Sequence, residues 1–157
     1  MTPGIQVLMR EIEQAWDGFC RNIYECGDVD AAMAAAGSSV SLVNIPVGTG
    51  GADRDAVRDY LAHSLVPHLP EGLTRTRVSR TVDRFRLVEE TRVAFTHDRE
   101  LPWLLPGLAP THRRAEVLAI TIALFRQGKL ASARTLWDHM GLLEQLTPAS
   151  TKGSEPL

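Results

Sequence analysis

Hydrophobic positions recur at helical spacing in the first part of the chain. Ile5, Leu8, Ile12, Trp16, Phe19 and Ile23 lie three or four residues apart, which puts them on one face of a helix over Ile5 to Ile23. Gly27-Asp28 punctuates this run. Asp28 is placed to cap a second helix reaching Ala36, and Gly37 to stop it. Val40 to Ile45 reads as a short strand ended by Pro46, and Gly48-Thr49-Gly50-Gly51 as a loop. A third helix, capped by Asp53 or Asp55, carries Val57, Tyr60, Leu61, Ser64 and Leu65 and ends at Pro67 and Pro70.

From Leu73 onward the pattern becomes that of strands. Thr74 to Phe85 and Leu87 to His97 are rich in Val, Thr, Arg and Phe. In the second run Leu87, Glu89, Thr91, Val93, Phe95 and His97 share one face, and Val88, Glu90, Arg92, Ala94 and Thr96 the other. Asp98 to Thr111 is a loop whose three prolines surround Trp103-Leu104-Leu105. Two long strands follow, Ala115 to Phe125 and Lys129 to Asp138, then a short amphipathic helix from Met140 to Leu146. Helices before strands indicate an α+β fold rather than a parallel βαβ sheet. The expected architecture is three N-terminal helices packed on a curved antiparallel sheet. The strand Ala115 to Phe125 is apolar on both faces, with Leu118, Ile120, Ile122 and Leu124 on one and Val117, Ala119, Thr121, Ala123 and Phe125 on the other. Both faces should therefore be covered. One cover is the helix layer; a second subunit is the natural other, so a homodimer is expected.

Composition narrows the function classes. A chain of 157 residues suits one domain, taken as 1–147, with a disordered Pro-, Ser- and Gly-containing tail over 148–157. Hydrophobic content of 44% and charged content of 23% are ordinary for a soluble protein. A net charge of -2 argues against nucleic acid as a partner. The arginines from Arg75 to Arg86 are read as a solvated strand face. No apolar run is long enough for a bilayer, and the N-terminus has no secretory pattern. Cys20 and Cys26 have neither metal nor redox spacing, so a reduced cytoplasmic setting is expected. The Gly48 to Gly51 loop is too irregular for a phosphate cradle, and no His-x-x-x-His or Gly-x-Ser-x-Gly motif occurs. A phosphate cradle, a metal site and a hydrolase triad are all expected to be absent.

Several segments then carry a family resemblance. Val43-Asn44, Thr49-Gly50-Gly51, Ser79-Arg80-Thr81-Val82, Phe95-Thr96-His97, Trp103-Leu104-Leu105-Pro106-Gly107, Pro110-Thr111 and Trp137-Asp138 stand in an order and spacing that resemble a SnoaL-like domain of the nuclear transport factor two-like superfamily. The resemblance runs from the first helix to about Leu146. It implies a cone-shaped α+β barrel with a pocket between helices and sheet. It also implies cofactor-free cyclase or isomerase chemistry on a small hydrophobic, polyketide-like molecule. The chain departs from its relatives in the last strand. Ala131-Ser132-Ala133-Arg134-Thr135-Leu136 stands where relatives carry more His, Glu and Tyr, and Ile45 stands where they often carry His. The losses suit a pocket specialised by shape, or one that only binds.

The resemblance makes Asp138 the first candidate, since it matches the acid that SnoaL-type cyclases use on their substrate. A carboxylate at an apolar pocket serves as general acid or base; an Asp before a helix is equally a cap. Arg134 shares the strand face of Asp138, where it would steady an oxyanion or simply face outward. His97 titrates in the right range for proton transfer, or ends its strand in solvent. Glu90 is read as solvent-facing. Tyr60, Phe95, Trp103 and Leu136 are the expected substrate-binding residues. Trp103 either closes a lid over the pocket or packs on a partner subunit.

Overall fold

The computed structural model describes residues 4–148. Helix α1 (Ile5–Tyr24) buries Ile12, Trp16, Phe19 and Ile23, the stripe its spacing predicts. Helix α2 (Val29–Ala34) is capped by Asp28, whose carboxylate accepts from the Ala31 N–H at 3.0 Å. It stops two residues earlier than expected because the chain straightens at once into β1 (Ala36–Asn44). Gly37 is thus a strand residue, and a Cβ there would lie 3.4 Å from the Leu130 carbonyl oxygen. The Gly48 to Gly51 segment is also more ordered than a loop: Thr49–Gly51 is strand β2, a hairpin partner of β1. Gly50 has φ 134°, and a Cβ on it would sit 2.1 Å from the Leu42 oxygen, so no other residue fits.

Helix α3 (Arg54–Asp59) takes Asp53, not Asp55, as its cap, through the Ala56 N–H at 2.9 Å. It widens into a π-helical turn over Tyr60–Leu65 and tightens into a 3₁₀ turn over Val66–His68. Four strands follow: β3 (Thr74–Val82), β4 (Arg86–Thr96), β5 (Arg114–Arg126) and β6 (Lys129–Trp137). Helix α4 (His139–Leu146) closes the described chain.

The sheet order is β2-β1-β6-β5-β4-β3. Two features of the expected architecture need correcting. Only α1 and α2 precede the first strand, since β1 and β2 come before α3. The sheet is also mixed rather than antiparallel: β1 runs parallel to β6, pairing Leu42 with Ala133 and Asn44 with Thr135. That pairing joins segments some ninety residues apart, and no local pattern announces it. Register shifts at Arg77/Ser79 and Leu124/Phe125 mark where bulges bend the strands. The mixed α+β architecture with a curved, open six-stranded sheet stands.

The core sits between α1 and the concave sheet face. On β5 that face carries Ala115, Val117, Ala119, Thr121, Ala123 and Phe125, all buried. Its alternating alanines leave space beneath α1. The convex face of β5 keeps Leu118 at 41% exposure, with Ile120, Ile122 and Leu124 half-buried. No described helix is long and apolar enough to cross a membrane. The tail expected over 148–157 lies, from residue 149, outside the described residues.

Candidate functional site

The space under α1 is a narrow cavity of about 80 Å³. Trp16, Phe19, Ile23 and Tyr24 of α1 roof it, and Val93, Val117, Ala119, Ala133 and Trp137 form its floor. All three tryptophans of the chain line it, because Trp103 and Leu104 of the proline-rich loop close one side. Among the lining residues there is no Asp, Glu, His or Lys.

One polar cluster interrupts the apolar wall. Asn44, buried at the end of β1, donates through Nδ2 to Tyr60 Oη at 2.8 Å and to Thr49 Oγ1 at 3.0 Å. Thr49 Oγ1 donates to the Trp103 carbonyl at 2.8 Å, which Asn44 also approaches at 3.3 Å. The cluster ties the loop, the π-helical turn and β1 together. Tyr60 acts as acceptor within it, so the Tyr60 O–H is uncommitted. Burial, with the neighbouring Tyr24, pushes the Tyr60 phenol well above its ordinary range, which keeps that hydrogen in place. On the floor Thr121 and Thr135 hydrogen-bond each other at 2.9 Å. Cys20 is pushed up to about 11, chiefly by burial, so it is a neutral thiol and not a nucleophile. Arg75 reaches the cavity from β3, its guanidinium 4.0 Å from the centroid of the Tyr24 ring.

Beside the cavity, Glu89 is buried within a charged network. It accepts from Trp16 Nε1 at 3.0 Å and from Arg80 at 2.6 and 3.0 Å. Arg80 also reaches Asp17 at 2.6 Å and Glu13 at 3.4 Å. The Arg80 hydrogen bond lowers the Asp17 pKa. Each carboxylate here is bound to Arg80, so the network holds α1 to the sheet.

The sequence-predicted residues divide sharply. Tyr60 and Trp103 line the cavity. Phe95 is fully buried in the core but does not line it. Asp138, Arg134 and Leu136 do not line it either, a correction of parity. Ala133, Thr135 and Trp137 take the concave face, so Arg134, Leu136 and Asp138 take the other. Asp138 is exposed and accepts from the Gly141 N–H at 3.0 Å; it is the N-cap of α4. His97 is neither in the cavity nor in solvent. It is 0% exposed, its Nδ1 accepts the Thr111 N–H at 3.2 Å, and its buried Nε2 has no hydrogen-bond partner among the described residues. Burial, reinforced by His112, lowers its pKa.

Sequence reasoning missed Asn44, Thr49 and Arg75. A signal existed for Asn44: an amide ending an apolar strand is an unusual core residue that needs partners. Arg75 was hidden among neighbouring arginines. Among the described residues no group of three or more His, Cys, Asp or Glu is arranged to hold a metal ion.

No protein-family model matches the chain, and no curated protein matches it in sequence. Solved structures do match its fold. A candidate SnoaL-like polyketide cyclase from Jannaschia sp. CCS1 superposes with a TM-score of 0.72 at 10% identity, over 99% of this chain and 100% of that one. TsrD from Streptomyces laurentii gives 0.66 at 20% identity, over 87% and 95%. An epoxide hydrolase of the LEH-like kind from M. tuberculosis gives 0.62 at 15% identity, over 92% and 98%. The chain therefore shares the fold of these SnoaL-like and NTF2-like proteins.

Proposed function

On this fold we propose a cofactor-free cyclase or isomerase that acts on a small hydrophobic, polyketide-like molecule by holding it in a reactive shape. The observation that carries the proposal is the Tyr60 hydroxyl, which lines a mostly apolar cavity and accepts from Asn44 with its own hydrogen left to donate. Such a donor stabilises negative charge developing on a substrate carbonyl oxygen. The aromatic walls supply orientation, which lowers the barrier by removing motional freedom before the reaction. No lining group is a base at neutral pH, so the chemistry needs little proton transfer. The roles first given to Asp138, Arg134 and His97 pass to Tyr60, Asn44 and the cavity shape. The candidate cyclase and the LEH-like epoxide hydrolase that share this fold make small-molecule chemistry a fitting reading.

At about 80 Å³ the cavity is smaller than the roughly 300–1,000 Å³ common for ligand sites. A substrate therefore displaces part of the wall. The Trp103 loop and the π-helical turn over Tyr60–Leu65 are its irregular parts and the ones proposed to give way. A cytoplasmic role in secondary metabolism completes the proposal. So does a homodimer through the convex face, where Leu118 and Leu136 remain exposed; light scattering at micromolar concentration tests it, and a monomer would remove it.

A second reading is a non-catalytic binding module, favoured by the absence of any Asp, Glu, His or Lys from the lining. The test is incubation with uncyclised intermediates of the pathway encoded beside this gene, followed by mass spectrometry. Conversion that is lost in Trp103→Ala supports the enzyme. Tight binding without conversion selects the binding module.

A further inference from the structure

The arginines of β3 are unequally matched. Arg80 is held by Glu89, Asp17 and Glu13. Arg75, five residues earlier, has no carboxylate within ion-pair distance among the described residues; its close neighbours are the Tyr24 ring and the Cys20 thiol. Glu89 acts on it through space but is spent on Arg80 and Trp16. Arg75 is nonetheless half-buried. A cation withdrawn from water without a counter-ion costs free energy, and a ring face offsets only part of it.

Its position gives that cost a use. Arg75 lines the cavity and also the open groove of about 540 Å³ beside it, as do Cys20, Tyr24 and Thr91. It therefore stands at the threshold between the two spaces. The groove side adds Arg21, Arg77 and Arg80 together with the carboxylates of Asp17, Glu25 and Glu89, of which Asp17 and Glu89 are held by Arg80. Asn44 is on β1 and Arg75 on β3, with three strands between them in the sheet, so the two polar features mark opposite sides of the cavity.

We infer that Arg75 receives an oxyanion carried by the molecule whose apolar body fills the cavity. The ligand class is an amphipathic acid with a carboxylate or an enolised 1,3-dicarbonyl at one end. A planar guanidinium suits such delocalised oxygens, which take two parallel hydrogen bonds. With its head at Arg75, the body lies beneath Trp16 and Phe19, and its far end faces the Tyr60 O–H. This inference rests on the reading of the cavity as the ligand site.

The test uses intrinsic tryptophan fluorescence, since Trp16, Trp103 and Trp137 all line the cavity. The wild-type chain is titrated at pH 7.5 with decanoate, with 1-decanol and with 2-octanoylcyclohexane-1,3-dione. Decanoate or the dione should bind at least about tenfold more tightly than decanol, in line with a charge-assisted hydrogen bond. An advantage for both supports a general oxyanion site, and for one alone identifies which acid it prefers. In Arg75→Gln the advantage should vanish while decanol affinity stays unchanged; Arg75→Lys should keep part of it. If all three bind equally to the wild type, the oxyanion site is overturned and the cavity reading survives. If none changes the fluorescence, both fall. An advantage that persists in Arg75→Gln overturns the assignment to Arg75. The wild-type comparison decides even if that variant fails to fold.

Discussion

The two faces of β6 reverse the usual expectation of where chemistry sits. The convex face holds the ionisable residues Arg134 and, just beyond the strand, Asp138, yet both are exposed. The concave face holds Ala133, Thr135 and Trp137, with no charge, yet it forms part of the cavity floor. Strand β4 shows the same division: Glu89 is buried in the network under α1, while Glu90 bonds Ser79 near the surface. Residue type alone therefore does not locate a site. Face does, because a strand alternates sides at every residue.

Breaking the concave side should have the largest effects. Glu89→Ala leaves the side chain of Arg80, 8% exposed, and Trp16 Nε1 without their buried acceptor. The expected loss is about 3–5 kcal/mol of unfolding free energy in urea titrations. Glu90→Ala, on the other face, should cost under about 1 kcal/mol. Tyr60→Phe removes the hydroxyl donor proposed to meet the substrate oxygen, so turnover should fall about a hundredfold with the fold intact by circular dichroism.

The convex side should respond in stability or not at all. Asp138→Ala should cost about 1 kcal/mol, the value of a helix cap, with turnover per folded molecule unchanged. A fall in turnover of a hundredfold or more would return Asp138 to the chemistry. Arg134→Ala should change neither stability nor turnover measurably.

The acid limb of stability sharpens the contrast further. His97 has a lowered pKa in the folded chain, through burial first and then His112, with Asp98 opposing. The unfolded chain takes up the proton first, so stability should fall as pH drops below about 6.5. The loss is complete once pH is below the folded pKa. His97→Phe, which leaves no proton to gain, should flatten this slope in thermal denaturation between pH 5 and 7 while losing the Thr111 bonds.

Much of the fold was legible because its signals are local. The α1 stripe, the Asp28 and Asp53 caps and the two faces of β4 all follow from spacing within a few residues. The parallel pairing of β1 with β6 is not local, and Gly37, read as a helix stop, concealed where β1 begins. The grouping of Arg134 with Asp138 on one face was sound; the error was choosing which face met the cavity. Asp138 suits both a cap and an acid by its sequence position, and the structure shows the cap. Arg75 could not be singled out, because neighbouring arginines look alike until their carboxylates are placed.

The central claim, that the concave cavity is the ligand site, is tested most directly by a crystal structure with decanoate bound. The account predicts an apolar chain beneath Trp16 and Phe19, against Val117 and Trp103, with its carboxylate at Arg75. Decanoate lying instead on the convex face beside Arg134 and Asp138, with the cavity closed, would contradict it.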